Sequence, residues 1–277
     1  MPVALSMKKH LLTLILIGII AGAFPRYGIE AQSICGCRPD ECCNPWSYCG
    51  TTDEYCGDGC QWGPCYQSPE LNDVSVSDVV TSEFFDGIIS QADASCAGKN
   101  FYSRAAFLEA LGSYNQFGRI GSTNDSMREI ASFFGHVTHE TGHFCYLEEI
   151  DGPSKNYCDD RFKEYPCNLN KSYHGRGPLQ LSWNLNYGAS GNNIGFDGLN
   201  FPETVINDPV ISFKTSLWYW MNYGHPYMDL GFGVTIASMK GGHECFDENP
   251  EAVQKRVEYY TEYCKQLGVD PGDDLTC

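Results

Sequence analysis

The densest run of chemically able side chains is Phe133-Phe-Gly-His-Val-Thr-His-Glu140-Thr-Gly-His-Phe-Cys-Tyr-Leu-Glu-Glu149-Ile. Two chemistries compete for it. His139-Glu140-Thr-Gly-His143 fits the H-E-x-x-H pattern, which sets two histidines one helical turn apart for zinc, with the glutamate as base. Against zinc, Gly142 weakens the helix that would have to hold both ligands, and no third ligand follows at a recognised spacing. Hydrogen bonding within a polar cleft is the plainer role for His136, His139 and His143.

The second chemistry pairs Glu140 with Glu149. Glycoside hydrolysis needs one carboxyl kept protonated for the leaving oxygen and one kept ionised to activate water or attack carbon. Glu140 falls on a helix whose other face is Phe133, Phe134 and Val137, an apolar setting that favours the protonated acid. Glu149 lies beyond Cys145 on a loop beside Glu148 and Asp151, a wetter setting that suits a base. Taken alone, Glu148, Glu149 and Asp151 would read as a solvated acidic loop. A second run, Tyr173-His-Gly-Arg-Gly-Pro-Leu-Gln180-Leu-Ser182-Trp-Asn-Leu-Asn186-Tyr187-Gly188, alternates glycines with varied hydrogen-bonding side chains. Such a pattern suits a cleft that reads hydroxyls and acetamides through direct bonds.

Helices must carry these groups. Phe84, Phe85, Ile88 and Ile89 share one helical face, and Ser103 precedes Ala106, Phe107, Ala110 and Leu111 in the same period. Ser126-Met-Arg-Glu129 reads as a capping box ahead of Ile130, Phe133, Phe134 and Val137. Asp208-Pro209 and Asn249-Pro250 start two more helices, the second closed by Gly268. Strand alternation is scarce, so the large domain is expected to be mainly α, with long loops pinned by seven cysteines.

The other eight of the fifteen cysteines lie between Cys35 and Cys65, in a stretch too poor in aliphatic residues to build a core without disulfides. A short polar connector, 67–78, reads as a linker. At the start, the apolar run Leu11 to Ala23 behind Lys8 and Lys9 is too short to span a bilayer and reads as a signal peptide. Met7 is an alternative start. Cleavage after Ala31 is favoured over Ala23, because it leaves the cysteine-rich module starting near Gln32. Export through an oxidising route makes the cysteines disulfides rather than thiol catalysts, with at least one left over. The chain has 277 residues, 42% of them hydrophobic, and a formal charge of −17. That charge argues against a nucleic-acid partner, which would need a basic surface. Asn124-Asp-Ser126 and Asn170-Lys-Ser172 are glycosylation sequons.

The spacing of Cys35-Gly-Cys37, Cys42-Cys43, Cys49, Cys56, Cys60 and Cys65 resembles the hevein-type chitin-binding domain. Trp46, Tyr48 and Tyr55 match that family's three sugar-stacking aromatics, and flat amphipathic rings suit the apolar faces of sugars. Asn44 stands where the family has a substrate-binding serine. The resemblance implies bridges Cys35–Cys43, Cys37–Cys49, Cys42–Cys56 and Cys60–Cys65, a choice that spacing alone does not make.

The glutamate run and the 173–188 run together resemble plant class IV chitinases of glycoside hydrolase family 19, over nearly everything from Cys35 to Cys277. This implies a lysozyme-like, two-lobed helical catalytic domain over 79–277, after a signal peptide at 1–31, a hevein-like module at 32–66 and the linker. It further implies an inverting mechanism with Glu140 as proton donor and Glu149 as base, the latter holding the attacking water together with Ser182. Gln180, Asn186, Arg256 and Glu244 match positions that line or brace the family's cleft. Bridges Cys96–Cys145, Cys158–Cys167 and Cys245–Cys277 follow from the resemblance, with Cys264 left as a buried free thiol. No metal or organic cofactor is implied. The expected partners are chitin and N-acetylglucosamine oligomers, with no nucleic acid and no membrane, and the expected state is a monomer in the apoplast or cell wall acting in plant defence. Two departures stand out: Leu185 replaces a usual aromatic, and Lys240 stands where relatives carry a substrate-contacting asparagine. They motivate the alternative, a chitin-binding lectin with a weakened hydrolase domain.

Overall fold

The structure, a computed structural model, describes residues 37, 41–44, 48–57, 60, 65, 70–240, 244–245 and 249–277. The expected signal peptide lies outside these residues, as do Trp46, Cys35 with its bridge to Cys43, and the side chain of Lys240.

In the cysteine-rich module, strands β1 (Cys42–Cys43) and β2 (Cys49–Gly50) pair antiparallel, with Cys43 opposite Cys49. They are followed by the short helix α1 (Asp53–Cys56). Bridges Cys37–Cys49, Cys42–Cys56 and Cys60–Cys65 take the place of a core.

The rest is helical: α2 (Val76–Val79), α3 (Ser82–Ile89), α4 (Arg104–Leu111), α5 (Thr123–Thr141), α6 (Asn184–Ile194), α7 (Thr204–Asn207), α8 (Pro209–Tyr223), α9 (Phe232–Lys240) and α10 (Pro250–Gln266). Short polar side chains start them by satisfying first-turn N–H groups. Thr81 accepts from Phe84 N–H, Ser103 from Ala106, Asp208 from Val210 and Ile211, and Asn249 from Ala252.

Two expectations are corrected. The capping box of α5 is Ser122 with Asp125, one turn earlier than Ser126 with Glu129. Ser126 and Glu129 are buried inside the helix, where Glu129 accepts from Gly118 N–H, Trp220 Nε1 and His225 Nδ1 at 2.7–2.9 Å. Residues 70–78, assigned to the linker, are tied into the helical domain. Asn72 exchanges backbone and side-chain bonds with Arg119, Gly121 and Ser126, Leu71 pairs with Ile120, and Val76 is in the core.

Helix α5 is the centre of that core. Its Ile130, Phe133, Phe134 and Val137 are fully buried among Phe85, Phe107, Phe117, Phe144 and Phe213, many of these rings meeting edge to face. Each such side chain contributes about 1.5–3 kcal/mol on burial. On its other flank α5 packs against α10. Gly135 makes this close, since a Cβ there would sit 3.2 Å from the backbone nitrogen of Tyr260. Bridges Cys96–Cys145, Cys158–Cys167 and Cys245–Cys277 pin the loops. Cys264 is free and buried, and burial pushes its thiol up to about 11.

Candidate active site

Helix α5 stops beside a cleft. Gly142, at φ +58°, adopts the left-handed conformation that ends a helix, and His143 and Phe144 follow at φ +63° and +64°. His143 therefore lies beyond the helix that carries His139, and the two are not a turn apart on one helix as the H-E-x-x-H pattern requires. His143 instead meets the Tyr259 ring edge-on.

The last turn of α5 delivers Glu140 to the cleft. The apolar setting expected for it is not what surrounds it. Its Oε1 accepts a bond from Nη2 of Arg256, which α10 drives into the interior where the guanidinium side chain is 1% exposed. Arg256 gives two further N–H bonds to Glu244, at 2.7 and 2.8 Å, and one to His136 Nδ1 at 3.1 Å. A guanidinium only donates, so His136 accepts at Nδ1 and its Nε2–H faces Thr235 Oγ1 at 2.9 Å. Local periodicity could not show this partner, because it arrives from a helix far along the chain.

The opposite wall is made by three short segments pinned in antiparallel bridges. Glu148 pairs with Arg176 and Arg176 with Leu181, while Glu149 N–H bonds Gly175 O and Gly177 N–H bonds Leu147 O, both at 2.8 Å. This places Glu149, Gln180 and Ser182 together. Behind them, buried His174 holds Glu148 Oε2 at 2.9 Å, and buried Arg176 bonds Tyr187 OH and approaches His174 Nδ1. Burial, with Arg176 adding, keeps His174 below the ordinary imidazole value although Glu148 pulls the other way.

Glu149 Oε1 receives Lys155 Nζ at 2.5 Å and Tyr157 OH at 3.0 Å, and Oε2 receives Gly175 N–H at 3.3 Å. Partial burial works to raise its pKa. The bonds from Lys155, Tyr157 and Gly175 and the Lys155 charge outweigh it and hold Glu149 below its usual range. Glu140, Glu148, Glu149, Gln180 and Ser182 line one cleft of about 540 Å³, with His139, Tyr146, Ile150, Lys155 and Tyr157. Six non-glycine residues among those described have positive φ: His143, Phe144, Asp151, Tyr157, Gln180 and Trp183. All lie on segments that border this cleft, where such conformations concentrate at working sites.

The remaining sequence candidates are placed as follows. Ser182 Oγ donates to Gln180 O at 2.9 Å, and Asn186, a turn along, donates to Ser182 O at 2.8 Å, bracing the wall from behind. Leu185 is half-buried. In the module, Tyr48 is 66% exposed while Asn44 is buried. Asn44 Oδ1 accepts Tyr48 N–H at 2.9 Å, so this oxygen secures the backbone of Tyr48. Lys155, Tyr157 and His174 have no individual role in the sequence reading. His174 at least falls in the 173–188 run, whereas Pro153-Ser-Lys155 looks like any exposed loop.

The sequence profile of the family described as chitinase class I matches residues 79–229 and 226–277. Endochitinase EP3 of Arabidopsis thaliana is 64% identical over 248 residues, 90% of each chain, and endochitinase B of Zea mays is 52% identical over 254 residues, again 90% of each. The crystal structure of a family GH19, class IV chitinase from Zea mays superposes with a TM-score of 0.71 at 51% identity, covering 74% of this chain and all of that one. Chitinase C from Streptomyces griseus gives 0.64 at 36% identity, over 72% of this chain and 97% of its own. The chain belongs to the chitinase class I family, glycoside hydrolase family 19.

Proposed function

We propose that this protein is an endochitinase that cleaves β-1,4-linked N-acetylglucosamine polymers by single displacement with inversion. The observation that carries the reading is one cleft that brings Glu140 and Glu149 together, with Glu149 held as a carboxylate. Glu149 is kept ionised by Lys155, Tyr157 and Gly175, as a base requires. Glu140 shares one guanidinium with Glu244. As general acid, Glu140 enters the step carrying one proton, with its Oε1 held in place by Arg256 Nη2. That proton passes to the glycosidic oxygen as the C1–O bond breaks. Water held by Glu149 and Ser182 attacks C1 from the other face and gives its proton to Glu149.

The aromatic residues of the cysteine-rich module, Trp46, Tyr48 and Tyr55, would anchor the enzyme on insoluble chitin while the cleft reads the sugar through hydrogen bonds. The disulfides and the apolar N-terminal run support a secreted, extracellular protein, and membership of the family supports a role in defence against chitin-bearing organisms. Among the described residues no helix is long and apolar enough to cross a membrane.

The test is incubation with a soluble chitin hexamer. The parent should release shorter oligomers with the α-anomer appearing first by NMR, and Glu140→Gln should lose about 10²–10⁴-fold in rate. An early β-anomer refutes single displacement, and a near-normal Glu140→Gln refutes the donor. Binding without any products from the parent would instead support the lectin.

A further inference from the structure

We infer that Lys155 is a positioning residue of the hydrolytic reaction: it orients the Glu149 carboxylate so that Oε2 receives the water's proton, and it supplies the counter-charge for that carboxylate. The inference rests on reading Glu149 as the base. A carboxylate oxygen has two lone-pair directions. Oε1 is filled by Lys155 Nζ at 2.5 Å and Tyr157 OH at 3.0 Å, whereas Oε2 has the single long contact from Gly175 N–H at 3.3 Å. The open lone pair is therefore on Oε2.

Lys155 is itself held at its backbone. Its N–H bonds Gly152 O at 2.9 Å, and its carbonyl accepts Ser172 Oγ, which also meets His174 Nδ1 at 3.0 Å. The lysine is thereby tied to the wall that Glu149 leans on. Its charge matters because of its company. The titratable and charged groups around Glu149 are Glu148, paired to His174 with Arg176 behind it, Asp151, Tyr157, and Glu140 with Arg256 behind it. Among the described residues that line the cleft, Lys155 is the one lysine or arginine. Arg256 meets Glu140 and Arg176 meets Glu148, so without Lys155 Glu149 would be the one of the three with no described lysine or arginine in contact.

The Lys155 side chain is 45% exposed in the open cleft, and exposed ion pairs contribute little there. A bound sugar chain expels water from the pair and strengthens it at the moment of reaction. In that step the water oxygen bonds C1, its proton goes to Glu149 Oε2, and Glu140 protonates the leaving oxygen. Lys155 then favours return of Glu149 to the carboxylate for the next turnover.

The experiment measures kcat and KM against pH on chitin hexamer for the parent, Lys155→Met, Lys155→Arg and Glu149→Gln. A cation in contact typically moves a carboxyl by about 1–3 pH units. With this exposure, Lys155→Met is expected to move the acid limb of kcat up by about one unit. On that limb kcat should fall about tenfold, with KM changing less than about twofold. Lys155→Arg should restore most of both. An unmoved acid limb overturns the inference, and so does a rise in KM at constant kcat, which would make Lys155 a sugar contact. Glu149→Gln separates the two levels. If it keeps the parent's rate, the base reading fails; if it is inactive while Lys155→Met matches the parent, only the role of Lys155 fails.

Discussion

Replacing Arg256 with Met removes one cation and strands two carboxylates. The Arg256 side chain is 1% exposed and those of Glu140 and Glu244 are 10% and 18% exposed, so water does little to screen what is left. Removing one partner of a buried pair costs about 3–5 kcal/mol, chiefly through the uncompensated charge. The methionine fills part of the guanidinium's volume, so the cost is electrostatic rather than that of a cavity. For a domain of this size each kcal/mol is worth about 2–4 °C, giving a fall in Tm of about 6–20 °C. Arg256→Met with Glu244→Gln removes one of the two charges and should recover part of the loss. Thermal unfolding followed by circular dichroism at pH 7 is the assay. A fall below about 3 °C, or no recovery in the double variant, would show that the Glu140–Arg256–Glu244 cluster does not carry the energy assigned to it.

Two further substitutions probe other parts of the chain. His225 Nδ1 lies 2.7 Å from Glu129 Oε1 in a mostly buried position, and although burial lowers its pKa the Glu129 charge outweighs it and raises it. A raised histidine stabilises fully below its unfolded value of about 6.5 and loses that contribution as pH climbs through the folded value. The Tm gap between the parent and His225→Gln should thus be widest below that pH and narrow above it; a gap constant from acid to alkaline pH contradicts the pairing. In the module, a Cβ on Gly50 would come within 2.3 Å of Tyr55 Cδ2. Gly50→Ala should displace that ring and weaken retention on chitin beads while hydrolysis of soluble hexamer is unchanged, and undiminished retention would remove Tyr55 from the platform.

What the sequence made legible was local. The caps at Ser103, Asp208 and Asn249 are read from a polar side chain reaching two or three residues ahead, and they stand as expected. Glu140, Glu149, Gln180 and Ser182 could be singled out because they sit in two short runs dense in chemistry, and these runs do meet in one cleft. Long-range hydrogen-bond partners had no local signal, and the distant bridges Cys96–Cys145 and Cys245–Cys277 followed from the family resemblance alone. Ser126-x-x-Glu129 imitates a capping box, but Glu129 is claimed by Trp220 and His225, 91 and 96 residues away. The polar Asn72 looks like linker until its bonds to Gly121 and Ser126, 49 and 54 residues on, are known. Phe133, Phe134 and Val137 suggested an apolar acid, because no local pattern announces a buried arginine.

The Glu140–Arg256 contact spans 116 residues, and ribosomes add about 5–20 residues per second. Roughly 6–23 s therefore separate the synthesis of the glutamate from that of the arginine that seats it. Throughout that interval α5 lacks the helix that covers its flank, and the carboxyl group has no cation to hold it. The Glu140–Arg256 pair and the α5–α10 packing therefore form only after α10 has been made, as does the Cys245–Cys277 bridge.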